Sequence, residues 1–143
     1  MTTTIPKKEK IVRNWVEIDA AGKTLGKVAT LAASILQGKN KAIFTPNMDT
    51  GDFVLVTNAA GVRLTGKKGV QKFYYRASTQ PGKLKRVSYG DLLEKRPAKL
   101  VEIAVRRMLP KNRLGRRLFT KLKVYAGTEH PHAAQQPKKI EVK

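Results

Sequence analysis

Apolar residues recur along residues 24–38 with the spacing of an amphipathic helix. The apolar positions are Leu25, Val28, Ala29, Ala32, Ile35 and Leu36. Because they lie mostly three or four residues apart, they share one face of a helix, and polar residues take the opposite face. Thr24 is a suitable N-cap, and Gly38 is a suitable residue to end the helix. The pattern predicts a helix that packs one face on a core.

Two segments that flank this helix have the pattern of β-strands. Residues 15–19 alternate between apolar and polar side chains, and residues 53–57 form a continuous apolar run, as in a strand covered on both faces. Residues 39–52 are rich in turn-forming residues. The order strand, helix, strand predicts a parallel pair with a right-handed crossover, and hence an α/β layer structure.

The later segments carry shorter patterns. Residues 62–65 alternate as a strand, residues 70–76 look extended, and residues 123–126 are a candidate final strand. From residue 127 onward, prolines and polar residues argue against any contribution to the core.

Two helices are predicted between residues 88 and 110. Ser88 and Asp91 resemble a capping box for a short helix that ends before Pro97. Pro97 can open the next helix as its first residue, and Pro110 stops that helix. The face of the second helix that we expect to be buried carries Leu100, Val101, Ala104 and Met108.

Length and charge set the class of protein. The chain has 143 residues, with 30 Lys and Arg against 10 Asp and Glu, a formal net charge of +20, and no cysteine. We predict one α/β domain over residues 14–126, a basic N-terminal arm over residues 1–13 and a C-terminal tail over residues 127–143. A polyanion would relieve the self-repulsion of this charge, so nucleic acid is the expected partner. Anionic lipid fits less well, because a helix on a membrane surface would carry Trp, Phe and Leu on its buried side and a more local charge, whereas the positive charge here runs through most of the chain.

The most basic stretch, residues 106–123, contains eight basic residues and no acidic one. On a helix after Pro110, four cations would share one arc and four apolar residues the opposite arc. The cations are Arg113, Arg116, Arg117 and Lys121, and the apolar residues are Leu114, Leu118, Phe119 and Leu122. Like charges one turn apart repel, so a merely solvated face would normally include carboxylates. We therefore expect an external anion here.

Residues 53–90 contain no acidic residue and form a second cationic zone around a predicted loop at residues 81–82. The cations are Arg63, Lys67, Lys68, Lys72, Arg76, Lys83, Lys85 and Arg86. The aromatic run at residues 73–75 could stack on unpaired bases. Adjacent strand residues point to opposite faces, so at least one ring belongs to the core, and we assign stacking to Tyr74 or Tyr75.

Signals for catalysis or cofactor binding are weak. Residues 22–24 read Gly-Lys-Thr between a strand and a helix, but a phosphate-binding P-loop needs a glycine where this chain has Glu17. The N-terminus of the helix could still meet a single phosphate. Glu129, His130 and His132 lack a further metal ligand nearby and complete no nucleophilic triad. We predict no catalytic residue, no cofactor and no metal.

A set of short motifs, found in order from Trp15 to Pro137, closely resembles one family. The motifs are WVEIDA at 15–20, GKTLGK at 22–27, FTPN at 44–47, DTGD at 49–52, VRLTGK at 62–67, MLPKN at 108–112, LGR at 114–116, KLKVYAG at 121–127 and EHPHAAQQP at 129–137. The set resembles the bacterial-type large-subunit ribosomal proteins of the L-thirteen family.

This resemblance implies a three-layer α/β/α domain with a mostly parallel four-stranded sheet. It implies a structural constituent of the large ribosomal subunit that binds ribosomal RNA and supports early subunit assembly, with no catalysis, no small-molecule substrate and no membrane. It also implies a cytoplasmic location in the large subunit, beside neighbouring large-subunit ribosomal proteins.

The residues expected to bind RNA combine the cationic positions with those matched to the family motifs. They are Lys67, Lys68, Lys72, Arg76, Lys83, Lys85, Arg86, Arg106, Arg107, Lys111, Asn112, Arg113, Arg116, Arg117, Lys121, His130 and His132. The resemblance implies that the segment around His130 packs against RNA or against the domain. Two features depart from the family pattern: Arg107 stands where members often have glycine, and residues 77–85 lack the usual histidine- and glycine-rich loop.

Two other classes of function are open on charge alone. An RNA-modifying or nucleotide-using enzyme on an α/β scaffold would need a cofactor loop or a catalytic constellation, and these residues supply neither. An architectural DNA-binding protein would need only the positive charge.

Overall fold

The computed structural model describes residues 5–142. Residues 1–4 of the predicted arm and residue 143 of the predicted tail lie outside the described residues. The strands are β1 (Trp15–Asp19), β2 (Phe53–Thr57), β3 (Phe73–Ala77), β4 (Leu84–Ser88), β5 (Leu122–Val124) and β6 (Lys138–Ile140). The α-helices are α1 (Leu25–Gln37), α2 (Lys68–Gln71), α3 (Tyr89–Lys95), α4 (Pro97–Met108) and α5 (Arg113–Thr120).

Four parallel strands form the central sheet in the order β5-β2-β1-β6. The predicted β1–α1–β2 unit is confirmed, with the two strands paired from Trp15 beside Phe53 to Asp19 beside Thr57. Strands β3 and β4 form a separate antiparallel hairpin. The predicted α/β class with a mostly parallel four-stranded sheet is therefore confirmed.

Helices α1 and α4 pack on one face of the sheet. Val16 and Ile18 of β1 point to this face and are buried. They belong to one core cluster with Val28 of α1 and Val105 of α4. Helix α1 ends as predicted, because Gly38 adopts a φ of 80° and its N–H donates to a carbonyl in the last turn. The apolar spacing read from the sequence is the surface that α1 buries.

The opposite face of the sheet carries aromatic rings, and His132 of the C-terminal segment packs against them. Side chains alternate along a strand, so Trp15 and Phe53 point away from the helices, and their rings stack with centroids 4.7 Å apart. The His132 ring lies 4.8 Å from the Trp15 ring. The Tyr125 hydroxyl lies 2.9 Å from His132 Nε2. Elements therefore pack on both faces of the sheet, consistent with three layers.

The fourth strand of the sheet comes from the C-terminal segment. Strand β6 pairs in parallel with β1 from Val16 to Ile18, and Val142 is buried in the main core cluster. The prediction that nothing after residue 127 contributes to the core was wrong. A three-residue edge strand needs little apolar sequence, because main-chain hydrogen bonds to β1 hold it.

The strand predicted at residues 62–65 was also wrong, because these residues do not form a strand. The Arg63 N–H donates to the Lys23 carbonyl at 2.8 Å, and the Arg63 carbonyl accepts from the Leu25 N–H at 3.1 Å. This segment therefore closes the turn between β1 and α1. The extended segment predicted at residues 70–76 is also divided between α2 and β3. The predicted loop around Gly82 is only the tip of the β3–β4 hairpin.

The helices between residues 88 and 110 follow the predicted signals. The Asp91 N–H donates to Ser88 Oγ at 3.1 Å, so Ser88 caps α3. Helix α4 begins at Pro97. Met108, predicted to be buried, is instead 42% exposed, and Leu109 directly after the helix is buried. The thioether side chain of Met108 therefore faces outward, and Leu109 makes the core contact instead.

Substitution of Leu118 tests whether this residue belongs to the core that supports α5. Its side chain is 2% exposed and lies in the main cluster. Leu118→Ala should lower the free energy of unfolding by about 2 to 5 kcal/mol, because it removes transfer energy and leaves a cavity. Urea denaturation measures this loss. Arg116→Ala, an exposed change on the same helix, should move the midpoint little, and equal losses for both variants would contradict the assignment of Leu118 to the core.

Candidate nucleic-acid interface

Helix α5 has an apolar face and a cationic face. Leu118 is buried, and Leu114 and Phe119 pack against the main cluster. Arg113, Arg116 and Arg117 are exposed. The predicted two-faced helix is confirmed for these residues. The core therefore fixes the backbone that carries the arginines, while their guanidinium groups stay in solvent.

Lys121, predicted to share the cationic arc, is instead buried. Its ammonium forms an ion pair with Asp49 and donates to the Gly51 carbonyl at 3.0 Å. Burial lowers the pKa of Lys121, and the hydrogen bond to Asp49 opposes that shift. The prediction of an exposed position was wrong, because a helical wheel cannot show a partner 72 residues away. Lys121 ties β5 to the loop before β2 and is not part of the cationic surface.

The loop before α5 is held tightly against the helix. A Cβ on Gly115 would lie 1.8 Å from the Pro110 carbonyl oxygen, so only glycine permits this approach. The Gly115 N–H donates to Asn112 Oδ1 at 2.8 Å, and Asn112 is the N-cap of α5. The amide oxygen of Asn112 is therefore committed to the helix. This packing places Lys111 beside the arginines of α5.

A concavity of about 390 Å³ lies between the end of α4 and the start of α5. Its lining includes Arg106, Lys111 and Arg116 and no acidic residue. The Arg106 guanidinium lies 6.0 Å from the centroid of the Phe119 ring, within cation–π range. We call Arg106, Lys111, Arg113, Arg116 and Arg117 the α5 surface. It combines exposed cations with a partly apolar hollow.

The β3–β4 hairpin and the residues before it carry the second group of cations. We call these the hairpin surface, and all are exposed: Lys67, Lys68, Lys72, Arg76, Lys83, Lys85 and Arg86. Arg76 pairs directly with Lys85 across the strands, a like-charge arrangement that costs stability unless an anion lies nearby. Of the two rings assigned to stacking, Tyr75 is 52% exposed, whereas Tyr74 packs against the smaller core cluster.

Cations from the two basic stretches of the sequence meet at the buried Tyr89. Arg107 Nη1 donates to the Tyr89 hydroxyl at 3.0 Å. The Lys72 ammonium lies 5.1 Å from the centroid of the Tyr89 ring. Arg107 comes from the end of α4 and Lys72 from the residue before β3. One aromatic side chain thus orients a cation from each zone that the sequence defined separately.

The four ion pairs found within residues 5–142 use Arg13, Lys41, Lys99 and Lys121 as their cations. Each of these lies outside the α5 surface and the hairpin surface. Both surfaces therefore present charge that the described part of the fold does not neutralise. An external anion would gain that attraction without breaking an internal pair.

The two histidines pack within the domain. Besides its contacts with Trp15 and Tyr125, His132 donates its backbone N–H to His130 Nδ1 at 3.2 Å. The segment around His130 thus packs against the domain, which is one of the two arrangements that the resemblance implied. In the described residues, no group of three or more His, Cys, Asp or Glu side chains could hold a metal ion.

Two further features bear on enzyme and membrane functions. Lys23 of the Gly-Lys-Thr turn donates to the Val142 carbonyl at 2.8 Å, so its ammonium is directed at the C-terminal segment. Gly22 has a φ of 68°, as expected for a tight turn between β1 and α1. None of the helices seen between residues 5 and 142 is long and apolar enough to cross a membrane.

These features define a strongly basic protein that is built on a parallel α/β sheet and presents two exposed cationic surfaces. Residues 13–131 match the family described as ribosomal protein L13. The chain belongs to this family of large-subunit ribosomal proteins, so the resemblance read from its motifs is confirmed. It is a structural component of the large ribosomal subunit and not an enzyme.

Curated relatives match the chain over nearly its whole length. The large ribosomal subunit protein uL13 of Maridesulfovibrio salexigens is 55% identical over 141 residues, which cover 99% of both chains. The uL13 protein of Picosynechococcus is 54% identical over 140 residues, 98% of this chain and 93% of the relative. The uL13 protein of Salinispora arenicola is 54% identical over 143 residues, 100% of this chain and 97% of the relative.

Gly115 and Gly26 form a matched pair of helical glycines for testing the loop before α5. Gly115→Ala should destabilise the fold by about 1 to 3 kcal/mol, because the new methyl overlaps the Pro110 carbonyl. Gly26→Ala meets no atom within 4 Å and should stabilise α1 by up to about 1 kcal/mol. Thermal unfolding of both variants checks the prediction, and it fails if Gly115→Ala is neutral.

Lys121 and Lys123, two residues apart in the chain, allow the same comparison for a buried and an exposed cation. Lys121→Ala leaves Asp49 with only a longer contact to Arg13 and should cost about 3 kcal/mol of stability. Lys123→Ala should change the stability little, because Lys123 is exposed. Denaturant titration measures both. A fully stable Lys121→Ala variant would show that the buried pair contributes nothing to the fold.

Proposed function

We propose that this chain binds large-subunit ribosomal RNA through its phosphate backbone and supports early assembly of the subunit in the cytoplasm. The observation that carries the proposal is the unneutralised charge of the α5 surface and the hairpin surface. Phosphate contacts need charge and reach more than strict geometry, which suits exposed Lys and Arg side chains. The names of the curated relatives, large ribosomal subunit protein uL13, support the choice of ribosomal RNA.

The core supports the backbone of α5 and of the loop before it, and this favours an early, stable role in assembly. The backbone of α5 is anchored by Leu118, and Gly115 fixes the loop that carries Lys111. A surface that is ordered before binding loses less conformational entropy when RNA arrives. A chain of this kind can hold a folded RNA segment in place and present its other faces to neighbouring large-subunit ribosomal proteins.

The proposal assigns different roles to the residues first expected to bind RNA. The α5 surface and the hairpin surface supply the phosphate contacts, with Arg107 between them. Asn112 caps α5, and its amide nitrogen remains able to donate to RNA. We assign Lys121 to the core and His130 and His132 to packing against Tyr125 and Trp15.

Binding to duplex DNA is the alternative that charge alone allows. Filter binding of the purified chain to large-subunit ribosomal RNA fragments and to duplex DNA, across a salt series, separates the two. We expect a folded ribosomal RNA fragment to be bound more tightly at every salt concentration. Equal affinity for both at every salt concentration would contradict the proposal.

Removal of charge from the α5 surface tests the proposed contacts. The triple variant Arg113→Ala, Arg116→Ala, Arg117→Ala should bind RNA more weakly and lower the salt slope of log K by about 2 to 3, one counterion term per lost phosphate contact. Its thermal stability should barely move, because all three side chains are exposed. Filter binding across a salt series and thermal unfolding measure the two effects.

The control for this variant removes the same charge elsewhere. Lys10→Ala, Lys39→Ala, Lys139→Ala changes three exposed cations outside both surfaces and leaves the same net charge. It should keep most of the affinity for RNA. If both triple variants lose affinity equally, binding follows net charge alone and the α5 surface has no special role.

A further inference from the structure

A second concavity, of about 380 Å³, lies where Arg107 at the end of α4 approaches Lys68 and Lys72 of the hairpin surface. We call it the Tyr89 concavity. It is bordered by the first turn of α1, by residues 63–72 and by the end of α4. Its lining residues used below are Lys27, Arg63, Leu64, Lys72, Arg107 and Met108. Lys27 and Arg63 belong to neither of the surfaces assigned to phosphate contacts.

The charge around the Tyr89 concavity has one sign. Five cations line it, and no acidic residue does: Lys27, Arg63, Lys68, Lys72 and Arg107. Two of them are already oriented, because Arg107 donates to the Tyr89 hydroxyl and Lys72 lies over the Tyr89 ring. The N-terminal end of α1 adds partial positive charge. An anionic group in the concavity would therefore meet cations from three separate segments of the chain.

Part of the wall of the same concavity is apolar. Leu25, Leu64, Ala104 and Met108 contribute to it. Met108 is 42% exposed, so its thioether side chain reaches solvent at the rim. A phosphate alone has no use for an apolar wall. A ligand that joins an anion to a flat, weakly polar ring uses both parts of the site, and thioethers contact aromatic rings favourably.

We propose that the Tyr89 concavity takes one unpaired nucleotide of the bound RNA strand. Its phosphate would meet Arg63, Lys72 and Arg107, and its base would lie against Leu64 and Met108. The volume is within the range of pockets that hold small molecules. Proteins that read RNA by sequence commonly take up bases splayed out of loops and bulges. This inference rests on the proposed RNA binding and adds a site that selects RNA structure.

Mononucleotide titrations followed by amide chemical shifts test the site directly. Adenosine and uridine 5′-monophosphate should shift the amides of Gly26, Leu64 and Arg107 in a saturable way. Inorganic phosphate should need at least about fivefold more ligand for the same shift, because it lacks the base. Equal effects of phosphate and nucleotide, or shifts centred on the α5 surface, would overturn the proposal.

Two variants separate the two parts of the site. Lys27→Ala with Arg63→Ala should weaken the response to both nucleotides and phosphate. Met108→Ala should weaken only the response to nucleotides. Lys39→Ala, an exposed change outside the concavity, is the control. Thermal unfolding establishes that each variant is folded. A Met108→Ala variant that binds nucleotides as the original chain does would overturn the placement of the base.

An RNA duplex with one bulged nucleotide, compared with the fully paired duplex, tests whether the ligand is part of an RNA strand. The chain should prefer the bulged duplex at least about fivefold. The Lys27 and Arg63 double variant should lose that preference and still bind the paired duplex. The triple arginine variant of the α5 surface should weaken binding to both duplexes alike.

The outcomes distinguish this inference from the proposed function. If mononucleotides do not bind and the chain binds both duplexes equally, the nucleotide site is overturned and RNA binding stands. If mononucleotides bind but the bulge is not preferred, the ligand is a free nucleotide and the assignment to an RNA strand is overturned. If neither duplex nor the ribosomal RNA fragments bind, the proposed function fails, and the mononucleotide shifts still decide whether the concavity holds a nucleotide.

Discussion

The chain has only ten acidic residues for thirty basic ones, and the places where these acids bond decide which positive charges are neutralised within the fold. All four aspartates bond within the fold. Asp49 pairs with Lys121, Asp52 accepts from Lys41 and from the Asn14 N–H, Asp19 accepts from Ala21 and Asn58, and Asp91 accepts from Ser88. The hydrogen bonds that Asp19 accepts lower its pKa, which keeps that carboxylate charged. Because the aspartates are used inside the domain, the α5 surface and the hairpin surface keep their full positive charge.

Periodicity in the sequence was sufficient for the elements that bury a continuous face. Helix α1, strands β1 and β2 and the two-faced helix α5 each repeat apolar residues at the spacing that their geometry requires. Strand β6 could not be found this way, because Lys138, Lys139 and Ile140 are held by pairing with β1 and not by an apolar pattern of their own. Strand β4 was not predicted from the sequence for the same reason, since it is almost wholly exposed and buries no apolar face.

The cationic positions of the candidate site were predictable, and their surroundings were not. A run of Lys and Arg without acids is visible in the sequence, which is why Arg113, Arg116 and Arg117 were found. The burial of Lys121 depends on Asp49, and the meeting of Arg107 with Lys72 depends on Tyr89. Both are contacts between distant segments, and a helical wheel or a count of charges contains no information about them.

Strand β6 has a consequence for the time at which the domain can be completed. Its partner β1 lies more than a hundred residues earlier in the chain. During synthesis, β1 and β2 emerge early and can pair, but the other edge of β1 stays open until residues 138–140 emerge. An open strand edge can pair with another strand, so the sheet is exposed to mispairing during this interval. Closure of the sheet is therefore among the last steps of vectorial folding, and Val142 then reaches the core that the earlier elements have formed.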